Sequence, residues 1–288
     1  MGATRPECMA EPFMTTLSIR RCGSPSRPTV GIVQTPTADH HTAAKALLVR
    51  PIGMEATRSA SMLRVLSERL ARSGAEVLRF DYHGTGDSPG EESEQSLSGW
   101  VQDIVDAHNS LQDTSAACPT HWFAMGLGAN MALQAALRSS PAPRHLILWE
   151  PVVAGSHYID SLLQAHKAEM AMQLGWPWPI LCQRGMVKEP SLPGSVLGFD
   201  MGPQLLNDLR QLAPLKAWLP EVLQRGIAVS VMAPEDQLAS LAPLGATNTG
   251  ASLKLHRLQA RTNWMSSQAT GTAVVPPELL ALLPTWMS

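Results

Sequence analysis

Between Ala46 and Val153 the chain alternates two textures. ALLVRP, AEVLRFDY, THWFAM and HLILWEPV are short, almost continuous apolar runs, the pattern of strands covered on both faces. Between them, apolar residues recur every three or four positions. TRSASMLRVLSERLARSG places Met62, Leu63, Leu66 and Leu70 at helical spacing and stops at Gly74. A second helix is predicted from Leu97 to Gln112, with Trp100, Ile104 and Leu111 on one face, and GANMALQAALRSS predicts a third. Strands alternating with helices of this length imply right-handed crossovers and a mostly parallel sheet.

The pattern changes on either side of this region. Met1 to about Thr15 reads as a loose arm, and His40 and His41 lie in a polar connection. TLSIRRC and TVGIVQTP flank a Ser/Pro-rich turn and predict an opening hairpin. After Val153 the alternation lapses into a Met-rich helical run, SLLQAHKAEMAMQL, followed by GWPWPILCQRG and GPQLLNDLRQL. It resumes with IAVSVMAPED, SLKLHRLQ and a last helix around PPELLALLPTWM. The expected class is α/β, a mostly parallel central sheet flanked by helices with a helical cap insertion. In this division residues 1–154 and 221–288 form the core, and 155–220 the cap over the sheet ends.

Composition narrows the partners. A length of 288 residues and a net charge of −2 give a full core and no electrostatic case for nucleic acid. No stretch approaches the length of a membrane span, no polybasic helix is present, and the N-terminus lacks the apolar run of a signal peptide. The four cysteines, Cys8, Cys22, Cys118 and Cys182, make no C-x-x-C pair, as expected of a reduced, cytoplasmic setting. The histidine spacings give no metal-ligand motif, so neither a metal nor a cofactor is predicted. Oligomeric state is not legible.

The chemistry turns on FAMGLGANMA, Phe123 to Ala132, an apolar strand entering a Gly-rich turn from which a helix leaves at once. In a G-x-S-x-G elbow the central residue is the nucleophile; here it is Gly126, which has no side chain to attack with. A plain βα turn would also use glycine. In an elbow, Leu127 would supply one oxyanion N–H and Ile52, Gly53 or Met54, in RPIGMEATRS, the other. The same residues also read as an ordinary helix start.

In RFDYHGTGDSPG, Asp81 and Asp87 are expected to pin the Gly-rich loop through backbone N–H groups. Pro89 stands where a phosphate-binding loop needs its last glycine, and no Walker lysine follows. Asp236 and Glu150 are the candidate acids at strand ends, each equally readable as a loop carboxylate. The base is missing: His256 falls inside a strand, and no histidine follows it. His83 on the Gly-rich loop is a candidate in its place, with Ser88 and Cys118 as alternative nucleophiles, while His157 and His166 lie in the cap. The cap's apolar residues are candidates to line an acyl pocket or simply to pack on the sheet.

ALLVRPIGMEATRSASM, RFDYHGTGDSPGE, GWVQDIVDA, FAMGLGANMAL, LILWEPVVAG and GFDMGPQLLNDL together resemble α/β-hydrolases, specifically the hydrolase-like proteins associated with exosortase A systems. The resemblance runs from about Ala46 to Leu219. It implies an α/β-hydrolase fold and kinship with serine aminopeptidase-like proteins. Against that pattern the nucleophile position is Gly126 and the C-terminal histidine is absent. Losing a triad nucleophile or base costs around 10⁶ in kcat, about 8 kcal/mol. Two functions follow as expectations. One is a protein that binds an acyl, ester or saccharide-linked ligand with little or no hydrolysis. The other is a hydrolase or acyltransferase with a non-standard arrangement, using Ser88 or a water activated by Glu150, Asp236 or His83.

Overall fold

The computed structural model describes residues 15–37, 42–113, 118–190, 192–246, 252–258, 263–265 and 275–280. The N-terminal arm, the His40–His41 pair, Cys8 and the end of the last expected helix lie outside them.

The expected hairpin is β1 (Thr15–Ser24) and β2 (Arg27–Pro36), paired antiparallel with Arg27 opposite Ser24. Then come β3 (Ala44–Val49), α1 (Gly53–Arg72), β4 (Ala75–Asp81), α2 (Leu97–Gln112), β5 (Thr120–Met125), α3 (Leu127–Arg138) and β6 (His145–Trp149). The stretch that breaks the alternation holds α4 (Gly155–Leu174), α5 (Trp178–Gln183), a small antiparallel hairpin of β7 (Gly194–Val196) and β8 (Phe199–Met201), α6 (Pro203–Arg210) and α7 (Leu215–Gln224). Helix α7 carries Pro220 in its interior. The chain closes with β9 (Ala228–Ala233), α8 (Glu235–Ala239), β10 (Leu253–Arg257) and α9 (Pro277–Leu280).

Eight strands form one sheet in the order β1-β2-β4-β3-β5-β6-β9-β10. Only the pairs involving β2 are antiparallel; from β4 to β10 every pairing is parallel. Alternate residues of each central strand feed two cores. Leu47 and Val49 of β3, and Trp122 and Ala124 of β5, join a core with α2, α3 and α7. Ala46, Leu48, Phe123 and Met125 join the other, against Met62, Leu63, Leu66 and Leu70 of α1. Every residue of β3 and β5 is buried, which is why their apolar residues form nearly continuous runs instead of alternating with polar ones. The predicted faces of α1 and α2 are the buried ones, Trp100, Ile104 and Leu111 of α2 being fully enclosed.

Of the two aspartates expected to pin the Gly-rich loop after β4, Asp81 does so with its carboxylate, while Asp87 takes part through its backbone N–H. Asp81 pairs with Arg50 and accepts the Asp87 N–H at 3.0 Å, and a Cβ at Gly86 would collide with that carboxylate.

Candidate functional site

Parallel strands present their C-terminal ends on one edge, and loops that leave it carry the chemistry in folds of this kind. Four such loops converge here, after β3, β5, β6 and β9. The turn after β5 is sharp: Met125 ends the strand, Leu127 begins α3, and Gly126 between them has φ 57° and ψ −131°. Its N–H donates to the Trp149 carbonyl at 2.9 Å, tying the apex to the end of β6. Gly128 is required for a different reason. Any Cβ there would overlap the Arg50 carbonyl, so the α3 start can lie against the loop after β3 only without one.

Above Gly126 opens a wide cleft of about 980 Å³, lined by Glu55, Glu150, His157, Tyr158, Asp236 and Asn263 among others. Glu150 and Asp236, the two acids expected at strand ends, thus share a cleft with the elbow apex. Glu150 sits in an uncommon backbone conformation for a non-glycine residue, φ 43°, and its N–H donates to the Met232 carbonyl at 2.8 Å. The loop is clamped to α3 by Asn130, whose amide donates to the Val152 carbonyl and accepts the Val152 N–H, both at 2.8 Å. Asn130→Ala is expected to cost about 2 kcal/mol, because it strands two backbone groups at once. Urea denaturation measures it, and a loss below about 0.5 kcal/mol would show that the clamp contributes only marginally.

Ser88 and His83 stand elsewhere, and neither lines the cleft. The Ser88 hydroxyl donates to the Asp81 carbonyl at 2.6 Å and accepts the Val30 N–H at 2.8 Å, holding the Gly-rich loop to β2. The ring nitrogens of His83 meet the Pro28 carbonyl at 3.1 Å and Glu94 at 3.3 Å. The His83 backbone N–H donates at 3.0 Å to Asp103, which is buried and paired with Arg27. These contacts fix the loop and leave neither side chain turned to the elbow. Cys118 and His256 are likewise absent from the cleft lining. Gly53 and Met54 border a second, smaller cavity of about 130 Å³, with Trp100, Leu162, Phe199 and Leu205 on its walls. Tyr158 borders both spaces.

What sequence reading missed is the titratable group closest to the apex, just beyond the Pro51 side chain, whose Cβ would lie 3.3 Å from a Cβ on Gly126. Glu55, in the first turn of α1, points its carboxylate at the elbow, and a Cβ built on Gly126 would lie 3.8 Å from Oε2 and 4.0 Å from Oε1. Tyr158 of α4 donates its hydroxyl hydrogen to Oε2 at 2.8 Å. Glu55 is half-buried, facing the cleft through its remaining surface. Burial raises its pKa to about 7, the Tyr158 hydrogen bond opposes the rise, and the charge of Glu150 adds to it. The Tyr158 hydroxyl is pushed well above its ordinary range by burial and by Glu55. In sequence Glu55 is one acid in a first helical turn, a position acids favour for the helix dipole alone. Its partner lies 103 residues away, so no local motif reports it. His157 and Asn263 reach the cleft as well; Asn263 follows β10, in the segment where a triad would carry its histidine. Among the described residues no cluster of three or more His, Cys, Asp or Glu is placed to hold a metal ion. No helix among them is long and apolar enough to cross a membrane.

Residues 53–192 match the family model described as serine aminopeptidase, S33. No curated protein matches the chain. Among solved structures it is similar to a hypothetical protein from Pseudomonas aeruginosa, at 11% identity over 94% of each chain with a TM-score of 0.61. It is also similar to proline iminopeptidase of Mycobacterium smegmatis, at 13% identity over 94% of this chain and 97% of that one, TM-score 0.56. A thioesterase domain from the curacin biosynthetic pathway matches at 14% identity over 94% of this chain and 99% of that one, TM-score 0.54. At such identities the likeness is one of fold, and the fold is that of the α/β-hydrolases.

Proposed function

We propose that this chain is an α/β-hydrolase-fold protein with a degenerate serine triad. It binds an acyl, ester or saccharide-linked ligand in the cleft above Gly126 and turns it over little or not at all. The observation that carries this reading is the apex itself: a nucleophile-elbow turn that opens on a roomy cleft and carries no side chain. An acyl-enzyme has no atom to form on there. The starts of α1 and α3 meet at this edge, and their first backbone N–H groups have no acceptor within the helix. Leu127 with Gly53 or Met54, the latter two on the smaller cavity that shares Tyr158 with the cleft, are the donors assigned to a ligand carbonyl. Residues 155–220 act as the cap, contributing His157 and Tyr158 to the cleft, while 1–154 and 221–288 form the core. Of the candidate side chains proposed from sequence, the acids Asp236 and Glu150 remain in the reading because they line the cleft; Ser88 and His83 do not. A cytoplasmic location and kinship with exosortase A-associated hydrolase-like proteins belong to the same proposal. The proline iminopeptidase and thioesterase likenesses support carbonyl-bearing ligands as a class.

The test is binding of a non-hydrolysable methyl ketone, 4-phenyl-2-butanone, followed by saturation-transfer NMR. The wild type is expected to bind it, and Ser161→Trp, which fills the cleft from α4, to weaken binding tenfold or more with the fold intact. Intact-mass spectra after incubation with p-nitrophenyl acetate should show no acyl adduct in the cleft. Absence of ketone binding, or an equal affinity in Ser161→Trp, defeats the reading. A second reading, hydrolysis by a non-standard arrangement, is favoured by one observation only: the placement of Glu55.

A further inference from the structure

We infer that Glu55 is a general base that draws a solvent water into the place of the missing serine over Gly126, giving slow hydrolysis of activated esters and thioesters without a covalent intermediate. This deepens the reading above and rests on it, since the ligand must occupy that cleft.

Geometry carries the argument. A side-chain atom on Gly126 would lie 3.3 Å from Pro51 Cβ on one side and 3.8 and 4.0 Å from the two carboxylate oxygens of Glu55, so an oxygen one bond beyond it, on the Glu55 side, comes within reach of a hydrogen bond. Tyr158 donates to Oε2 and holds the carboxylate at the edge of the cleft that Glu55 lines. Helix α3 starts at Leu127, directly after Gly126, and Glu55 lies in the first turn of α1, so the two helix starts, whose first N–H groups could hold an oxyanion, lie on either side of the apex. Glycine at the apex is then what makes room for the water. A carboxylate whose ionisation is centred near neutrality suits proton abstraction at ordinary pH better than an unperturbed one.

The step balances without any further reactant. Water oxygen attacks the acyl carbon as one of its protons passes to the Glu55 carboxylate, and the carbonyl π pair moves onto oxygen at the N–H groups. When that pair returns, the bond from carbon to the leaving oxygen or sulfur breaks. The departing atom keeps the bonding pair and takes the proton from Glu55. Products are the carboxylic acid and the alcohol or thiol, and Glu55 ends as the carboxylate it began as. The other titratable groups lining this cleft are Glu150 after β6, His157, Tyr158 and Asp160 of α4, and Asp236 of α8.

The experiment measures hydrolysis of p-nitrophenyl acetate and of an S-butyryl thioester by the full chain from pH 5 to 9, beside binding of 4-phenyl-2-butanone. A rate above buffer is expected, rising through about pH 7 as Glu55 ionises. Glu55→Gln should lower it about 100-fold or more while still binding the ketone. Two positioning residues give a readout that a merely structural role would not move. Tyr158→Phe removes the hydrogen bond that lowers the Glu55 pKa, so the inflection should move to higher pH. Glu150→Gln removes the charge that raises it, so the inflection should move to lower pH. Wild-type turnover no faster than buffer with the ketone bound, or Glu55→Gln as fast as wild type, overturns the general base and leaves the binding reading standing. No turnover and no ketone binding overturns both.

Discussion

Glu55→Gln is expected to stabilise the protein at pH 8 and to leave it nearly unchanged at pH 4.5. The carboxyl titrates at about 7 in the folded chain, against roughly 4.3 for an unperturbed glutamate. Between those values the folded state holds a proton that the unfolded chain has released. Stability from this group is therefore complete below the unfolded pKa, falls as pH rises towards 7, and is gone above it. A shift of this size corresponds to about 4 kcal/mol, an upper figure because Glu55 keeps some surface on the cleft. Glutamine imitates the protonated acid, still accepts the Tyr158 hydroxyl, and has no charge to desolvate. Urea denaturation of both proteins from pH 4.5 to 8 decides the matter. Curves that stay parallel across that range would show that Glu55 ionises as it does in the unfolded chain. The cost of holding a carboxylate here is the kind of strain that a fold tolerates at a working site.

Gly155→Ala should be the most damaging single methyl group in the described chain outside the elbow. Gly155 opens α4, and a Cβ there would overlap the backbone carbonyl of Leu209, with the Leu212 Cβ only 3.2 Å away. The obstacle is backbone at the end of α6, so no rotamer change can relieve it. Either α6 or the first turn of α4 must move, and overpacking against rigid backbone costs about 3 kcal/mol or more. The function should suffer too, because Tyr158 is less than one turn along α4 from the clash. A shallower urea midpoint together with loss of ketone binding is the expected pair of results. A variant within about 0.5 kcal/mol of wild type would mean that α4 and α6 pack less closely than described.

The fold was legible because local patterns and tertiary burial agree. Leu47 and Trp122 sit in runs that read as doubly covered strands, and both are fully buried at the centre of the sheet. The sharp strand-to-helix turn at Gly126 was legible because a strand, a glycine turn and a helix follow one another within ten residues, and the positive φ is there. Ser88 and His83 illustrate the opposite. Their residue types invite catalytic roles, but their side chains satisfy Asp81, Val30, Pro28 and Glu94. A hydroxyl or imidazole in a loop looks the same in sequence whether it faces a ligand or its own backbone.

Sequence by itself determined the alternating elements, the parallel sheet and the absence of a nucleophilic side chain at residue 126, since these follow from residue type and spacing along the chain. Only the tertiary structure decided which acids meet. Glu55, the Glu150–Tyr158 stretch and Asp236 follow β3, β6 and β9 and lie far apart in sequence, and they share one cleft because those strands end on the same edge. The raised pKa of Glu55 is likewise a property of the neighbours that desolvate it. Periodicity records which face of an element is buried; it does not record what another element, folded over that edge, brings against it.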